Sequence, residues 1–283
     1  AADGPNGIAV DPEGNILVAG YTQSDDFPLL NAFQTRFRGD EYTDVGDGFV
    51  TKISPEGDSI IYSSYIGGEY DDMVHGIAVD RSGNAFITGT ADSENFPYKN
   101  TLSSFECGAD SDGGFLAKIG PSGELEFATC LGNISGFAVT TDKNDDVYVG
   151  GYGMSDMYNT TPGLFQGEGS GACAVKINNS GTSIIFASFI SGTQHFGIHK
   201  AKGIAVDSSG NVYLAGTTGD SGFPVANAFQ PSLSDNQEGF ISKLSPNGSS
   251  LLFSSFLGGS SHDYIMDIDV DDDGNMYIIG GTQ

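Results

Sequence analysis

The sequence has few basic residues. Its 283 residues include 11 Lys or Arg against 37 Asp or Glu, which gives a formal net charge of −26. An excess of this sign repels the phosphates of nucleic acids and of anionic lipid surfaces. We therefore expect no nucleic-acid partner and no binding of extended polyanions.

Long apolar runs are also missing. No stretch approaches the ~18 apolar residues of a membrane-spanning helix, and no signal peptide is visible at the start. We expect no membrane insertion. Because no segment shows helical periodicity over three turns, helices are not expected to build the fold.

Cysteine is scarce and shows no metal spacing. The three cysteines, Cys107, Cys130 and Cys173, contain no CxxC pair and do not have the spacing of a zinc site. An odd number of cysteines also does not form a framework of paired disulfides. Cys130 and Cys173 align with aromatic strand positions of other repeats, where a free thiol acts as a small hydrophobe. The sequence does not decide whether Cys107 and Cys130 form a disulfide.

What the sequence does contain is a repeat. The phrase GIAVDSSGNVYLAG from Gly203 recurs from Gly7, Gly76 and Gly136 and, in part, from Asp267. Its two apolar runs alternate as strands do, and the central D-x-x-G-N predicts a tight hairpin turn. The same hairpin pattern thus occurs five times in the sequence.

Each repeat predicts four strands. A loop with Phe-Pro and Phe-Gln follows the hairpin, then a third strand such as Gly239-Phe-Ile-Ser-Lys-Leu244, a turn, and a fourth strand such as Leu251–Leu257. We expect an all-β fold, a β-propeller of four-stranded antiparallel repeats of about 65 residues; a linear solenoid is the second choice. The expected single array over 1–283 has repeats at about 7–68, 76–132, 136–192 and 203–259, and a partial repeat at 267–283.

The combination of G-I-A-V-D-x-x-G-N, F-P, G-F-x-x-K-[IL] and S-[ST]-[FY]-[IL]-G-G resembles the seven-bladed β-propeller repeat family of exported and surface proteins of bacteria and archaea. The third repeat departs from the pattern, with Asp142-Lys-Asn-Asp-Asp146 in the turn and Cys173 for the strand phenylalanine. Eighteen expected strands do not divide into four-stranded blades. We therefore expect an excerpt of a longer protein, whose last hairpin is completed by the rest of that chain or by a partner chain.

Catalytic residues are not evident. The sequence contains no G-x-S-x-G nucleophile elbow. His195 and His199 are four residues apart, a spacing that brings two imidazole rings to one metal ion only on a helix, and this segment lies between predicted strands. The resemblance implies an extracellular or cell-surface location. We expect a non-enzymatic scaffold for adhesion, assembly or ligand binding, with a protein or glycan partner; the alternative is a secreted propeller enzyme, a lyase or a glycan-active protein.

Calcium is the one cofactor that the sequence suggests. Of the 37 acidic residues 27 are Asp, a compact ligand for hard cations. Asp269, Asp271 and Asp273 match the start of a calcium loop, although position twelve is Gly280 rather than Glu. Asp71, Asp72 and Asp263 complete the candidate metal ligands; the competing interpretation is a solvated acidic surface.

Calcium, more than magnesium, is expected to raise the melting temperature, because a cation relieves carboxylate repulsion and Ca²⁺ tolerates irregular oxygen cages. A ligand that binds only the folded state adds about 2.7 kcal/mol at a hundredfold excess over its Kd. Thermal melts in chelator, calcium and magnesium at matched ionic strength, with Asp269→Asn and Asp71→Asn alongside, test this. Equal melting temperatures in all three buffers would contradict it.

Overall fold

The computed structural model describes residues 2–39, 46–102, 113–154, 165–166, 170–192, 199–234 and 236–283. These residues form strands, turns and loops, and none of them lies in a helix. Consequently no helix able to cross a membrane occurs in this part of the chain. The all-β prediction is confirmed.

The described residues contain eighteen strands. Blade one contains β1 (Asp3–Val10), β2 (Ile16–Thr22), β3 (Asp47–Ile53) and β4 (Ile60–Ile66). Blade two contains β5 (Asp72–Val79), β6 (Ala85–Ala91), β7 (Gly113–Ile119) and β8 (Leu125–Cys130). Blade three contains β9 (Ile134–Thr141), β10 (Val147–Met154), β11 (Ser170–Ile177) and β12 (Ile184–Ile190). Blade four contains β13 (His199–Val206), β14 (Val212–Thr218), β15 (Glu238–Leu244) and β16 (Leu251–Leu257), and the half-blade contains β17 (Asp263–Val270) and β18 (Met276–Thr282).

Each blade is a four-stranded sheet with its strands in chain order, and the half-blade is a two-stranded sheet. The strand pairs are antiparallel, as a meander requires. The predicted four-strand repeat is therefore confirmed, and the repeats are those of a β-propeller.

The first strand of a blade starts earlier than the sequence pattern indicates. We placed it at Gly7 and Gly203, whereas β1 begins at Asp3 and β13 at His199. The register shifts between Pro5 and Gly7, and the hairpins β5–β6, β13–β14 and β17–β18 shift at the same point. A β-bulge adds one residue on one strand and so interrupts the alternation from which strands are recognised.

The chain divides into two compact units, residues 1–139 with 180–183, and residues 140–179 with 184–283. In the first unit β5 packs against β1, β2 and β3; in the second β17 packs against β13, β14 and β15. Strands such as β7 and β14 are buried on both faces. Burying both faces explains why the strands carry apolar residues at nearly every position. That all repeats form one array stays a prediction.

The D-x-x-G-N phrase is a turn shaped by its aspartate. The Asp11 carboxylate accepts hydrogen bonds from the backbone N–H groups of Glu13 and Asn15 and from the Asn15 side chain. Gly14 has a φ of 87°, which a residue with a side chain rarely adopts. In blade three Asp145 takes this conformation, with a φ of 62°. Asn and Asp tolerate it better than other residues, so the departure in the sequence is accommodated.

The lysine of the G-F-x-x-K motif reaches the same aspartate. Lys52 lies 2.8 Å from Asp11, Lys176 2.9 Å from Asp142, Lys243 3.3 Å from Asp207, and Lys118 4.0 Å from Asp80. In blades two to four the ammonium also lies over the ring of an aromatic residue on the second strand, Phe86, Tyr148 or Tyr213. The motif therefore links the third strand to the first turn.

The strand phenylalanines Phe49, Phe115 and Phe240 are buried. Each ring contacts the Phe-Pro phenylalanine of its own blade, with centroids 4.6–4.7 Å apart. These partners are Phe27, Phe96 and Phe223. The Phe-Pro motif thus fastens the variable loop to its own sheet.

Two of the three cysteines lie in the described residues. Cys173 is a buried free thiol whose pKa is raised by burial. Cys130 is buried too, and it is disulfide-bonded, a state that the sequence left open. Cys107 lies outside the described residues.

The Asp11–Lys52 pair yields a stability prediction, because the Lys52 side chain is only 3% exposed, whereas that of Lys243 is 26% exposed. Removing one partner of a buried ion pair leaves the other charge without compensation, at about 3–5 kcal/mol. Asp11→Asn is therefore expected to lower the melting temperature clearly more than Asp207→Asn. Calorimetry of both variants measures this, and equal shifts would contradict it.

Candidate functional site

Asp71 and Asp72 are neighbours with different surroundings. Asp72 is buried, and its Oδ2 accepts hydrogen bonds from the Gly68 N–H at 2.6 Å and from the Ser93 hydroxyl at 2.7 Å. Asp71 is exposed, and its Oδ1 accepts the Gly46 N–H at 2.9 Å. Asp72 therefore ties the end of β4 to the loop after β6.

The other candidate metal ligands lie in the second unit. Asp263 accepts the Gly259 N–H, the position that Asp72 occupies in blade two. Asp271 holds the β17–β18 turn through Asn275 and Tyr277, and Asp273 contributes only its backbone N–H to that turn. Asp269 bonds to the N–H of Val270. Most of these carboxylates thus already accept hydrogen bonds from backbone N–H groups or neighbouring side chains.

Within the described ranges no group of three or more His, Cys, Asp or Glu has a metal-binding arrangement. The calcium proposal for Asp71, Asp72, Asp263, Asp269, Asp271 and Asp273 stays a prediction. His195 lies outside the described residues, so its pairing with His199 does too. His199 is buried in β13, 2.8 Å from the Thr218 hydroxyl and stacked on Phe223.

A groove of about 750 Å³ on the first unit is a better candidate site. Three chain segments line it: residues 31–36 with Arg38 of the loop after β2, Pro97 and Lys99 of the loop after β6, and residues 122–125 at the turn into β8. The segments come close because Gly123 has a φ of 99°, and a Cβ there would lie 3.1 Å from the Asn31 carbonyl oxygen. The volume is in the range of small-molecule sites.

Gln34 fixes the first of these segments. Its backbone N–H donates to the Ser64 hydroxyl, its side-chain N–H to Asp47, and its Oε1 accepts the Gly67 N–H. Asp47 also accepts the Arg38 N–H at 2.9 Å. We call this arrangement of Gln34, Asp47 and Gly67 the glutamine clamp. It explains the recurrent Phe-Gln and Gly-Gly motifs.

The groove is cationic in an acidic protein. Arg36, Arg38 and Lys99 line it together with a single carboxylate, Glu124. All four side chains are exposed. The Arg38 guanidinium donates to the Asn95 carbonyl and Lys99 to the Leu125 carbonyl, so both cations are held in place. The sum of three positive charges and one negative charge leaves a local excess of two.

Blade four shows that these arginines are not needed for the clamp. Gln230 makes the same contacts there, to the Ser255 hydroxyl, to Glu238 and from Gly258. The N–H that corresponds to that of Arg38 belongs to Ser234, which donates to Glu238. Counting from the glutamines, Ser232 stands where blade one has Arg36. The two arginines of the groove therefore have no counterpart in the equivalent loop of blade four.

Sequence reasoning did not find this groove. Its residues come from three segments that are distant in the sequence, and no motif joins them. One signal was present: two of the three arginines of the chain, Arg36 and Arg38, stand two residues apart in one loop. In a sequence with so few cations that clustering is informative.

The β-propeller repeat family SBBP matches residues 2–28, 61–97 and 197–224. These regions contain the β1–β2 hairpin, β4 to the Phe-Pro of blade two, and the β13–β14 hairpin. The resemblance noted from the sequence is thereby confirmed. Comparison with curated proteins gives no match.

Solved structures with similar folds are propellers of varied description. The Dos1 propeller is 11% identical with a TM-score of 0.44 over 95% of this chain, which spans 64% of that propeller's length. The Pan2 WD40 domain of Neurospora crassa is 8% identical with a TM-score of 0.44, over 97% of this chain and 85% of the domain. A gluconolactonase of Xanthomonas campestris is 10% identical with a TM-score of 0.39, over 98% of this chain and 78% of the enzyme. At these values the similarities carry no information on activity.

The clamp yields a pH prediction. Burial, with the nearby charge of Asp72, raises the pKa of Asp47 from 3.8 to about 7, and burial raises that of Asp72 to about 6. The folded state then binds protons more tightly than the unfolded state, so these groups stabilise the fold below pH 4 and lose that contribution as the pH rises toward 7. Urea unfolding across this range should show a flatter pH dependence for Asp47→Asn than for the parent. The exposed Asp71→Asn is the control, and an unchanged slope in Asp47→Asn would contradict the prediction.

Proposed function

We propose that this chain is a non-enzymatic, exported or cell-surface β-propeller scaffold that binds a short acidic glycan in the cationic groove of blade one. The observation that carries the proposal is the convergence of Arg36, Arg38 and Lys99 on one groove of a protein with a net charge of −26. The clamp of blade four works with serines at the two arginine positions. The clamp therefore does not require the arginine side chains, which leaves them available for a ligand.

The chemistry of the groove suits an acidic sugar. A guanidinium presents a planar fork that matches a carboxylate in a bidentate contact. Thr35 and Ser122, both exposed, add hydroxyl groups that can exchange hydrogen bonds with sugar hydroxyls. Phe33 lines the same groove and offers an apolar surface. A uronate, which carries a carboxylate and hydroxyls on one ring, meets all three features.

The net charge limits the length of the ligand. At physiological salt, charges are screened beyond about 8 Å, so a short ligand in the groove interacts mainly with the nearby cations. An extended polyanion would also lie over the acidic surface and be repelled. Short oligouronides thus reconcile a cationic groove with the expected lack of polyanion binding.

The lining of the groove favours binding over hydrolysis. Most glycosidases use a pair of carboxyl groups that flank the scissile bond. Among the lining residues Glu124 is the single carboxylate, and none is a histidine. We therefore assign the groove to recognition.

The disulfide of Cys130 supports the exported location. Disulfides persist in oxidising compartments and are rare in the cytosol. The repeat family, noted above for exported and surface proteins, points in the same direction.

Binding of trigalacturonate, followed by calorimetry at physiological salt, tests the proposal. The Arg36→Ser/Arg38→Ser variant reproduces the loop chemistry of blade four and should weaken binding at least tenfold, since hydrogen bonds to charged groups are worth about 1.5–3 kcal/mol. The Arg81→Ser/Lys143→Ser variant removes the same charge elsewhere and should bind as the parent does.

Neutral maltotriose should not bind. Equal affinity for both sugars, or an unchanged affinity in Arg36→Ser/Arg38→Ser, would contradict the proposal. Release of unsaturated or shortened products from the acidic sugar would instead favour the alternative of a glycan-active enzyme.

A further inference from the structure

The turn between β15 and β16 carries an asparagine at the protein surface. The turn has the sequence Ser245-Pro-Asn-Gly-Ser-Ser250, and Asn247 is exposed. The Oδ1 of Asn247 accepts hydrogen bonds from the Ser245 hydroxyl at 2.7 Å, the Ser249 hydroxyl at 2.8 Å and the Ser249 N–H at 3.2 Å. Three donors around one atom identify it as the carbonyl oxygen of the side chain. The other terminal atom is therefore the Nδ2 amide, and no described residue accepts a hydrogen bond from it.

The base of this turn is fixed on the neighbouring blade. The Gly248 N–H donates to the Ser245 carbonyl at 2.8 Å, and the Gly248 carbonyl accepts the hydroxyl of Ser188 on β12. A Cβ at Gly248 would lie 2.5 Å from the ring of Phe186, so the backbone of the turn rests directly on β12. The turn thus presents the Asn247 side chain to solvent from a buried glycine.

The fold does not require an asparagine at this position. Blade one has the same turn with Glu56 in place of Asn247. Its Gly57 N–H donates to the Ser54 carbonyl at 2.9 Å, and Gly57 has a φ of 75° where Gly248 has one of 70°. Because the turn forms equally with a glutamate, the amide of Asn247 is available for another role.

Asn247, Gly248 and Ser249 form the acceptor pattern N-x-[ST] of N-linked glycans. The pattern needs the asparagine amide together with a hydroxyl two residues later, and it excludes proline between them. In this turn the bond from the Ser249 hydroxyl to Oδ1 of Asn247 already holds the two groups side by side. The folded protein therefore displays the complete acceptor pattern at its surface.

The other matches to this pattern lack that arrangement. They begin at Asn133, Asn159 and Asn178. Asn159 lies outside the described residues, and Asn178 is half-buried. Asn133 is exposed, but its Ser135 lies in β9, and within the described ranges no hydrogen bond joins the two residues. Asn133 is therefore an internal control, with the same pattern and exposure but without the contact.

We propose that Asn247 is a site of N-linked glycosylation, to which an oligosaccharyltransferase transfers the glycan of a lipid-linked pyrophosphate. Nδ2 forms a bond to the anomeric carbon of the sugar and loses one proton. The bond from that carbon to the phosphate oxygen breaks, and the lipid pyrophosphate leaves with the electron pair. Surface loops of secreted proteins carry such glycans. This inference rests on the exported location proposed above and is independent of the ligand of the groove.

Peptide mapping by mass spectrometry tests the proposal on the protein isolated from its natural source. We expect the peptide that contains Asn247 to carry an oligosaccharide, at a higher occupancy than the peptide that contains Asn133. Ser249→Ala should abolish the modification, because the asparagine stays but the hydroxyl is lost. Ser249→Thr restores a hydroxyl and should retain the glycan.

Three results would overturn the proposal: an unmodified Asn247, a glycan that persists on Asn247 in the Ser249→Ala variant, or an equal occupancy at Asn133. Trigalacturonate binding by the same preparation keeps the two proposals distinguishable. Asn247→Gln should bind the acidic sugar as the parent does. A bare Asn247 with intact binding contradicts only the glycosylation site, and a glycosylated protein that does not bind contradicts only the groove. Recovery of the protein from the cytoplasm alone, without a glycan, would contradict the proposed location as well as this site.

Discussion

A lysine on the third strand of each complete blade pairs with the aspartate that shapes the turn between the first two strands. The pair spans the sheet, so the turn, the second strand and the third strand must all be in register for it to form. The aspartate meanwhile accepts hydrogen bonds from the turn's backbone N–H groups, and in three blades the lysine ammonium lies over an aromatic ring. One ion pair thus ties together local turn geometry, strand register and packing. The half-blade keeps the aspartate and the tyrosine, and Asp271 accepts a hydrogen bond from the Tyr277 hydroxyl.

The sequence allowed the fold to be predicted because turn chemistry repeats. D-x-x-G-N marks a hairpin wherever it occurs, and the strands around it alternate visibly. The start of the first strand was missed because a bulge before Gly7 and Gly203 breaks that alternation. The state of Cys130 could not be decided from the sequence, because an apolar strand position suits a free thiol as well as a disulfide. Spacing alone could not show that the lysine of G-F-x-x-K reaches back to the turn.

The candidate site was less predictable than the fold. Carboxylates were the conspicuous signal, yet Asp72, Asp263 and Asp271 accept hydrogen bonds from backbone groups and so help to hold loops and turns. The groove depends instead on Arg36 and Lys99, which are 63 positions apart in the sequence and meet only when blades one and two fold together. Local sequence motifs do not indicate that two residues so far apart in the sequence meet in one groove. Charge clustering in one loop was the only hint.

The glutamine clamp separates the support of a loop from its chemistry. Gln34 and Gln230 anchor the same backbone in blades one and four, while the residues that follow are arginines in one blade and serines in the other. Duplication of such a repeat therefore yields several loops whose sequences can diverge independently. Substitutions beyond the anchor change the chemistry of a loop and leave the anchor on the sheet in place. The repeat resembles, in this respect, an antibody framework that carries interchangeable hypervariable loops.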